Sequence, residues 1–111
     1  MASYLSQFNY QITGPEEGRR WVFLHGLMGY GMNWRRIVKS IEDTERVLVY
    51  DQRGHGKSWR PLTGYSPQDF ADDLFLITEE LGWNNFILVG HSMGARNAMQ
   101  FASQFPEKVV R

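Results

Sequence analysis

The plainest chemical possibility lies in ILVGHSMGARNAMQF, residues 87–101. Gly90, His91, Ser92, Met93 and Gly94 form a G-x-S-x-G pattern between an apolar run and an amphipathic one. A serine hydroxyl is a weak nucleophile until a nearby base takes its proton. A sharp strand-to-helix turn would push that hydroxyl outward. The residues two before and two after it must then be small, because they come close together. Gly90 and Gly94 meet this need, and Ala95 keeps the helix start slim. The helix amino terminus also brings unpaired N–H groups to the serine, which suits a developing oxyanion. Ser92 is therefore the candidate nucleophile, with Gly90, His91 and Gly94 supporting the turn.

Acyl transfer needs two N–H donors aimed at the tetrahedral oxygen. One would be the N–H of Met93, directly after the serine. HGLMGYGMNW, residues 25–34, supplies a second candidate in the N–H of Leu27. Gly26, Gly29 and Gly31 let that loop fold tightly. His25, at a strand end beside Gly26, reads as a residue that bonds backbone to hold the loop rather than as the base. Tyr30, Trp34 and Trp59 are candidates to line an acyl pocket, although such aromatics more often simply pack.

DQRGHGKSW, residues 51–59, ends in a G-K-S that suggests phosphate binding. A phosphate-binding loop needs G-x-x-x-x-G-K-[ST]. Counting back from Gly56 puts Asp51 where the first glycine belongs, and Pro61 interrupts the helix that should follow. The better reading is a turn with Gly54 and Gly56 at unusual dihedrals. Arg53 and His55 then bond neighbouring loops, and Asp51 is a structural acceptor.

These motifs need elements to position them. Phe8, Tyr10 and Ile12 alternate, as on a half-exposed edge strand. WVFLHG (21–26), RVLVYD (46–51) and NFILVG (85–90) are continuous apolar runs, expected of strands buried on both faces. Trp34, Ile37, Val38 and Ile41 define one apolar helix face. A second helix follows Ser66, with Pro67 in its first turn, Asp69 completing a capping box and Gly82 as a stop. Its buried face is Phe70, Leu74, Ile77 and Leu81. A third helix would bury Ala95, Ala98, Met99 and Ala102 and stop at Pro106. KVVR, 108–111, reads as the first residues of another buried strand. Alternating strands and helices predict an α/β fold, a mostly parallel sheet with helices on both faces. All three glycine-rich motifs fall just past the carboxyl ends of strands, where such sheets place active residues.

The remaining composition narrows the function classes. Of 111 residues, 42% are apolar and 22% charged, and 12 Lys and Arg balance 12 Asp and Glu. With no dense basic run, a nucleic-acid or membrane-surface partner has little electrostatic support. The absence of cysteine excludes disulfides and thiol catalysis, and fits a cytoplasmic location. No basic and apolar leader opens the chain, and no apolar run approaches the ~20 residues of a membrane helix. The reading requires no metal and no cofactor.

FLHGLMG, YDQRGHGKS and LVGHSMGA, in this order, resemble the amino-terminal half of the α/β-hydrolase fold superfamily, closest to its small serine esterases and acyl hydrolases. The resemblance implies a Ser–His–Asp/Glu triad, with Ser92 as nucleophile and the Leu27 and Met93 N–H groups as oxyanion hole. A serine at position 92 argues against the dehalogenase and epoxide-hydrolase branches, which carry aspartate there. In the family the acid and the histidine follow the serine in the chain. Here all three histidines, His25, His55 and His91, precede it. Residues 1–111 are thus expected to be the amino-terminal half of one hydrolase domain, without the cap and the carboxyl-terminal half. The substrate would be a small acyl compound, most simply an ester or thioester. C–C, amide or peroxy-acid chemistry and a non-catalytic fragment are the alternatives. The complementary half is expected from a missing segment or a second chain, and these residues alone are expected to be inactive and not to fold as a stable monomer.

Overall fold

In the computed structural model, which describes residues 3–111, four strands form one sheet and three helices cover it. The strands are β1 (Tyr10–Thr13), β2 (Arg20–Leu24), β3 (Arg46–Tyr50) and β4 (Ile87–Gly90). The helices are α1 (Arg35–Ile41), α2 (Pro67–Leu81) and α3 (Met93–Gln104). Spatial order is β1-β3-β2-β4. Strand β1 runs antiparallel to β3 at the edge, and the other pairings are parallel, with Val22 opposite both Leu48 and Leu88.

Strand alternation sorts the apolar side chains into two layers. Val22, Leu24, Leu48, Tyr50 and Phe86 face α2 and α3, where they meet Ala71, Leu74, Ile77 and Phe101. Phe23, Val47 and Val49 face α1 and pack with Val38, Trp34 and Ile41. The α/β sheet covered on both faces is therefore present. Helix α2 has the expected signals: Ser66 and Asp69 form a reciprocal capping box, Pro67 is in the first turn, and Gly82 ends it at φ 74°.

Three sequence readings are corrected. Phe8 is not in β1; it follows a short 3-10 turn at Leu5–Gln7 and is buried edge-on against Tyr50, ring centroids 5.8 Å apart. Ile37 is half exposed rather than part of the core face of α1. Helix α3 buries Gly94, Asn97 and Phe101, whereas Met99 is 67% exposed. The helix is rotated because Gly94 must lie against β2 and Asn97 finds a buried partner, as described below. The KVVR reading gains support. Phe86 pairs in parallel with Val109, and Leu88 N–H donates to Arg111 O at 2.9 Å.

The strand order locates the site. From β2 the chain moves through α1 on one face to β3. From β3 it crosses back through α2, on the opposite face, to β4. The loops leaving β2 and β4 therefore diverge to opposite faces and open a crevice at their carboxyl ends.

Candidate active site

Ser92 caps α3 at φ 56° and ψ −116°, a left-handed conformation that costs a non-glycine residue about 1–3 kcal/mol. It persists because its surroundings fix it. His91 N–H donates to Leu24 O at 3.1 Å, and Ala95 and Arg96 N–H groups both donate to Ser92 O. A methyl on Gly90 would lie 2.4 Å from Gly94 O, and one on Gly94 would lie 2.1 Å from Leu24 O. The two glycines thus let strand, turn and helix interlock. The Ser92 side chain is exposed, and no hydrogen bond among the described residues engages its hydroxyl.

The loop after β2 stands directly against this turn. Gly29 N–H closes a tight turn onto Gly26 O at 3.0 Å, with Met28 at φ 66° and 87% exposed. A methyl on Gly26 would sit 3.4 Å from Ser92 Cβ. Among the described residues, no hydrogen bond takes up the N–H of Leu27 or of Met93. Leu27, Ser92, Met93 and Arg96 together line an open hollow of about 480 Å³. The structure thus brings the proposed nucleophile and both proposed donors to one surface.

His25 is a buried strut. Gln52 N–H donates to its Nε2 at 2.9 Å, so Nδ1 carries the proton and donates to Gly26 O at 2.8 Å. Both ring nitrogens are occupied, and burial holds the imidazole below its usual pKa. His91 faces a separate hollow of about 300 Å³, shared with His25, Gly26, Asn33, Trp34 and Ile37. His55 Nδ1 bonds Arg53 O at 2.9 Å, and its ring lies 5.0 Å from that of His25.

The turn at 51–58 proves structural. Asp51 accepts from Gly31 N–H at 2.7 Å, Lys57 N–H at 3.0 Å and Asn9 Nδ2 at 3.0 Å. Burial pushes its carboxyl up, but these bonds outweigh that and leave it below the usual carboxylate range. Gly54 and Gly56 have φ of 74° and 52°. Arg53 reaches further than a neighbouring loop: its Nε and Nη2 grip Asp73 of α2 at 2.6 and 2.8 Å, and Nη1 donates to Gly64 O. Of the aromatic candidates, Trp34 lines the hollow shared with His25 and His91. Trp59 packs under the Arg53 guanidinium, 4.8 Å away, and Tyr30 N–H donates to Asn33 Oδ1.

Sequence reasoning missed a buried amide pair. Gln52 Nε2 donates to His25 O at 2.8 Å, and Asn97 Nδ2 donates to Gln52 Oε1 at 3.0 Å. The pair ties the loop after β2 to α3. Nothing in the local sequence signals it, since Gln52 lies between Asp51 and Arg53 and Asn97 follows Arg96. Among the described residues there is no cluster of three or more acidic or histidine side chains placed for a metal ion, and no helix long and apolar enough to cross a membrane.

A strand-to-helix turn that strains one serine, set beside free N–H groups at a sheet's switch point, defines the nucleophile elbow of an α/β-hydrolase fold. Residues 22–111 match the family model for that fold, and the chain belongs to the family. It is 37% identical over 105 residues to the 2-(acetamidomethylene)succinate hydrolase of Mesorhizobium japonicum, covering 95% of this chain and 38% of that enzyme. It is 33% identical over 105 residues to epoxide hydrolase 1 of Caenorhabditis elegans, covering 93% and 26%. A solved marine microorganism esterase superposes with a TM-score of 0.87 at 34% identity, over 93% of this chain and 39% of that one. The chain therefore spans well under half the length of these relatives.

Proposed function

We propose that these residues are the nucleophile-bearing half of a serine hydrolase acting on small carboxylic esters or thioesters. Ser92 Oγ attacks the acyl carbon while an imidazole takes its proton. The carbonyl oxygen gains charge and is held by the N–H groups of Leu27 and Met93. Collapse of the tetrahedral intermediate breaks the bond to the leaving alcohol or thiol, which receives the proton. Water then attacks the acyl-serine by the same route, and the acid departs. The imidazole and its carboxylate partner come from outside residues 1–111, as a further segment or a second chain. The outer edge of residues 108–111, which pair along β4, is where that part joins.

The observation that carries this reading is the strained, exposed Ser92 beside two unoccupied backbone donors. The serine also favours acyl transfer over the epoxide-opening chemistry for which one relative is named. The test is a fluorophosphonate probe on the protein completed by the part that supplies the base. Peptide mapping should find the label on Ser92. An active, complete protein with Ser92 unlabelled would end this reading.

A further inference from the structure

The hollow before Ser92 is walled by Leu27, Met93 and Arg96. Two of these offer apolar side chains and backbone donors; Arg96 is the charged member. It stands one helical turn beyond the nucleophile, its N–H donating to Ser92 O at 3.1 Å. Its side chain is exposed, and the ion pairs among the described residues, Arg19–Glu45, Arg53–Asp73 and Lys108–Glu79, leave it out.

Residues 86–106, which carry Ser92 and α3, contain Arg96 and no Asp or Glu, while Arg35 and Lys39 of α1 line a separate hollow with Glu42. The chain as a whole balances 12 basic against 12 acidic residues. Asp51, beneath the 25–34 loop, already serves three donors. No acidic side chain lines the hollow itself, so Arg96 is the charge that faces it.

Resting on the serine-hydrolase reading, we infer that the preferred acyl group carries its own carboxylate, as in a hemiester or thioester of a short dicarboxylic acid. The Arg96 guanidinium takes that carboxylate through its planar fork of donors. The reacting carbonyl then lies over Ser92, with its oxygen toward Leu27 and Met93. Arg96 sets specificity and takes no part in bond making.

The experiment compares p-nitrophenyl hemisuccinate with p-nitrophenyl butyrate in the completed protein. Wild type should favour the hemisuccinate in kcat/KM, less so as NaCl rises from about 0.05 to 0.5 M. Arg96→Gln should lower the hemisuccinate-to-butyrate ratio of kcat/KM at least tenfold, mainly through KM. Arg96→Lys should restore part of the ratio, because it returns charge without the fork. A ratio unchanged within twofold in Arg96→Gln, or a wild type that favours butyrate, overturns the inference while leaving the hydrolase reading intact. Absence of both turnover and fluorophosphonate labelling in wild type overturns both.

Discussion

Two serines in glycine-containing turns stand at the same rim of the sheet and have opposite surroundings. Ser58 is buried; its hydroxyl donates to Asp51 O at 2.5 Å and accepts from Asn9 N–H at 2.8 Å. Ser92 is exposed, unbonded at its hydroxyl and held at φ 56°. Around Ser58, Asp51 is saturated and Arg53 is clamped to α2. Around Ser92, backbone donors stand open and Met28 projects into solvent. A turn that satisfies every polar group stabilises the fold. One that leaves donors and a nucleophile free keeps interaction capacity for something else.

Mutations on the two sides should separate cleanly. The largest effect is expected at Ser92: Ser92→Ala in the completed protein should lower kcat about 10³-fold or more, with Tm within about 2 °C of wild type. Ester turnover and differential scanning fluorimetry check this, and residual activity above a tenth would place the nucleophile elsewhere. Next comes Asp73→Asn, which strands the buried Arg53 charge. It should cost about 3–5 kcal/mol in urea unfolding and leave the fluorophosphonate labelling rate of the folded fraction unchanged. Ser58→Ala should cost about 1–3 kcal/mol, because it leaves Asn9 N–H and Asp51 O without their partner, again with no change in labelling. A labelling defect from either would erase the contrast between the two turns.

The smallest effect is pH-dependent. His25 is held neutral below its usual pKa of 6.5, whereas the unfolded chain protonates near that value. The unfolded state therefore binds more protons as pH falls below 6.5, and stability must decline there by at most about 1.4 kcal/mol per pH unit from this residue. The contribution is fully present above pH 6.5 and lost as pH falls toward the folded value. Urea unfolding from pH 7 to 5 should show the slope, and His25→Gln should flatten it.

Much of this was legible in the chain. The three buried strands, the capped α2 and the three glycine-rich motifs follow from local patterns of period, capping and turn chemistry. The elbow was legible because its steric needs fall on adjacent residues. What escaped notice depends on distant ones. Asn97 carries no local sign of burial; Gln52, from another strand end, comes within 3.0 Å and supplies the partner. Met99 reads as core until Gly94 fixes the rotation of α3 against Leu24 O. Trp59 reads either as a pocket wall or as a residue that simply packs, and Arg53 decides for packing by claiming its face. In each case a tertiary partner, not local propensity, decided the burial.

Gly94 seats its backbone directly on the end of β2. The spacing between the amides of Leu27 and Met93 is set by main chain pressed on main chain. The side chains at those two positions do not maintain it. Leu27 and Met93 can therefore be exchanged for other residues to reshape the hollow while the donor pair keeps its separation. The same scaffold can thus acquire new substrate preferences by drift at its rim, at little cost to the reactive geometry beneath.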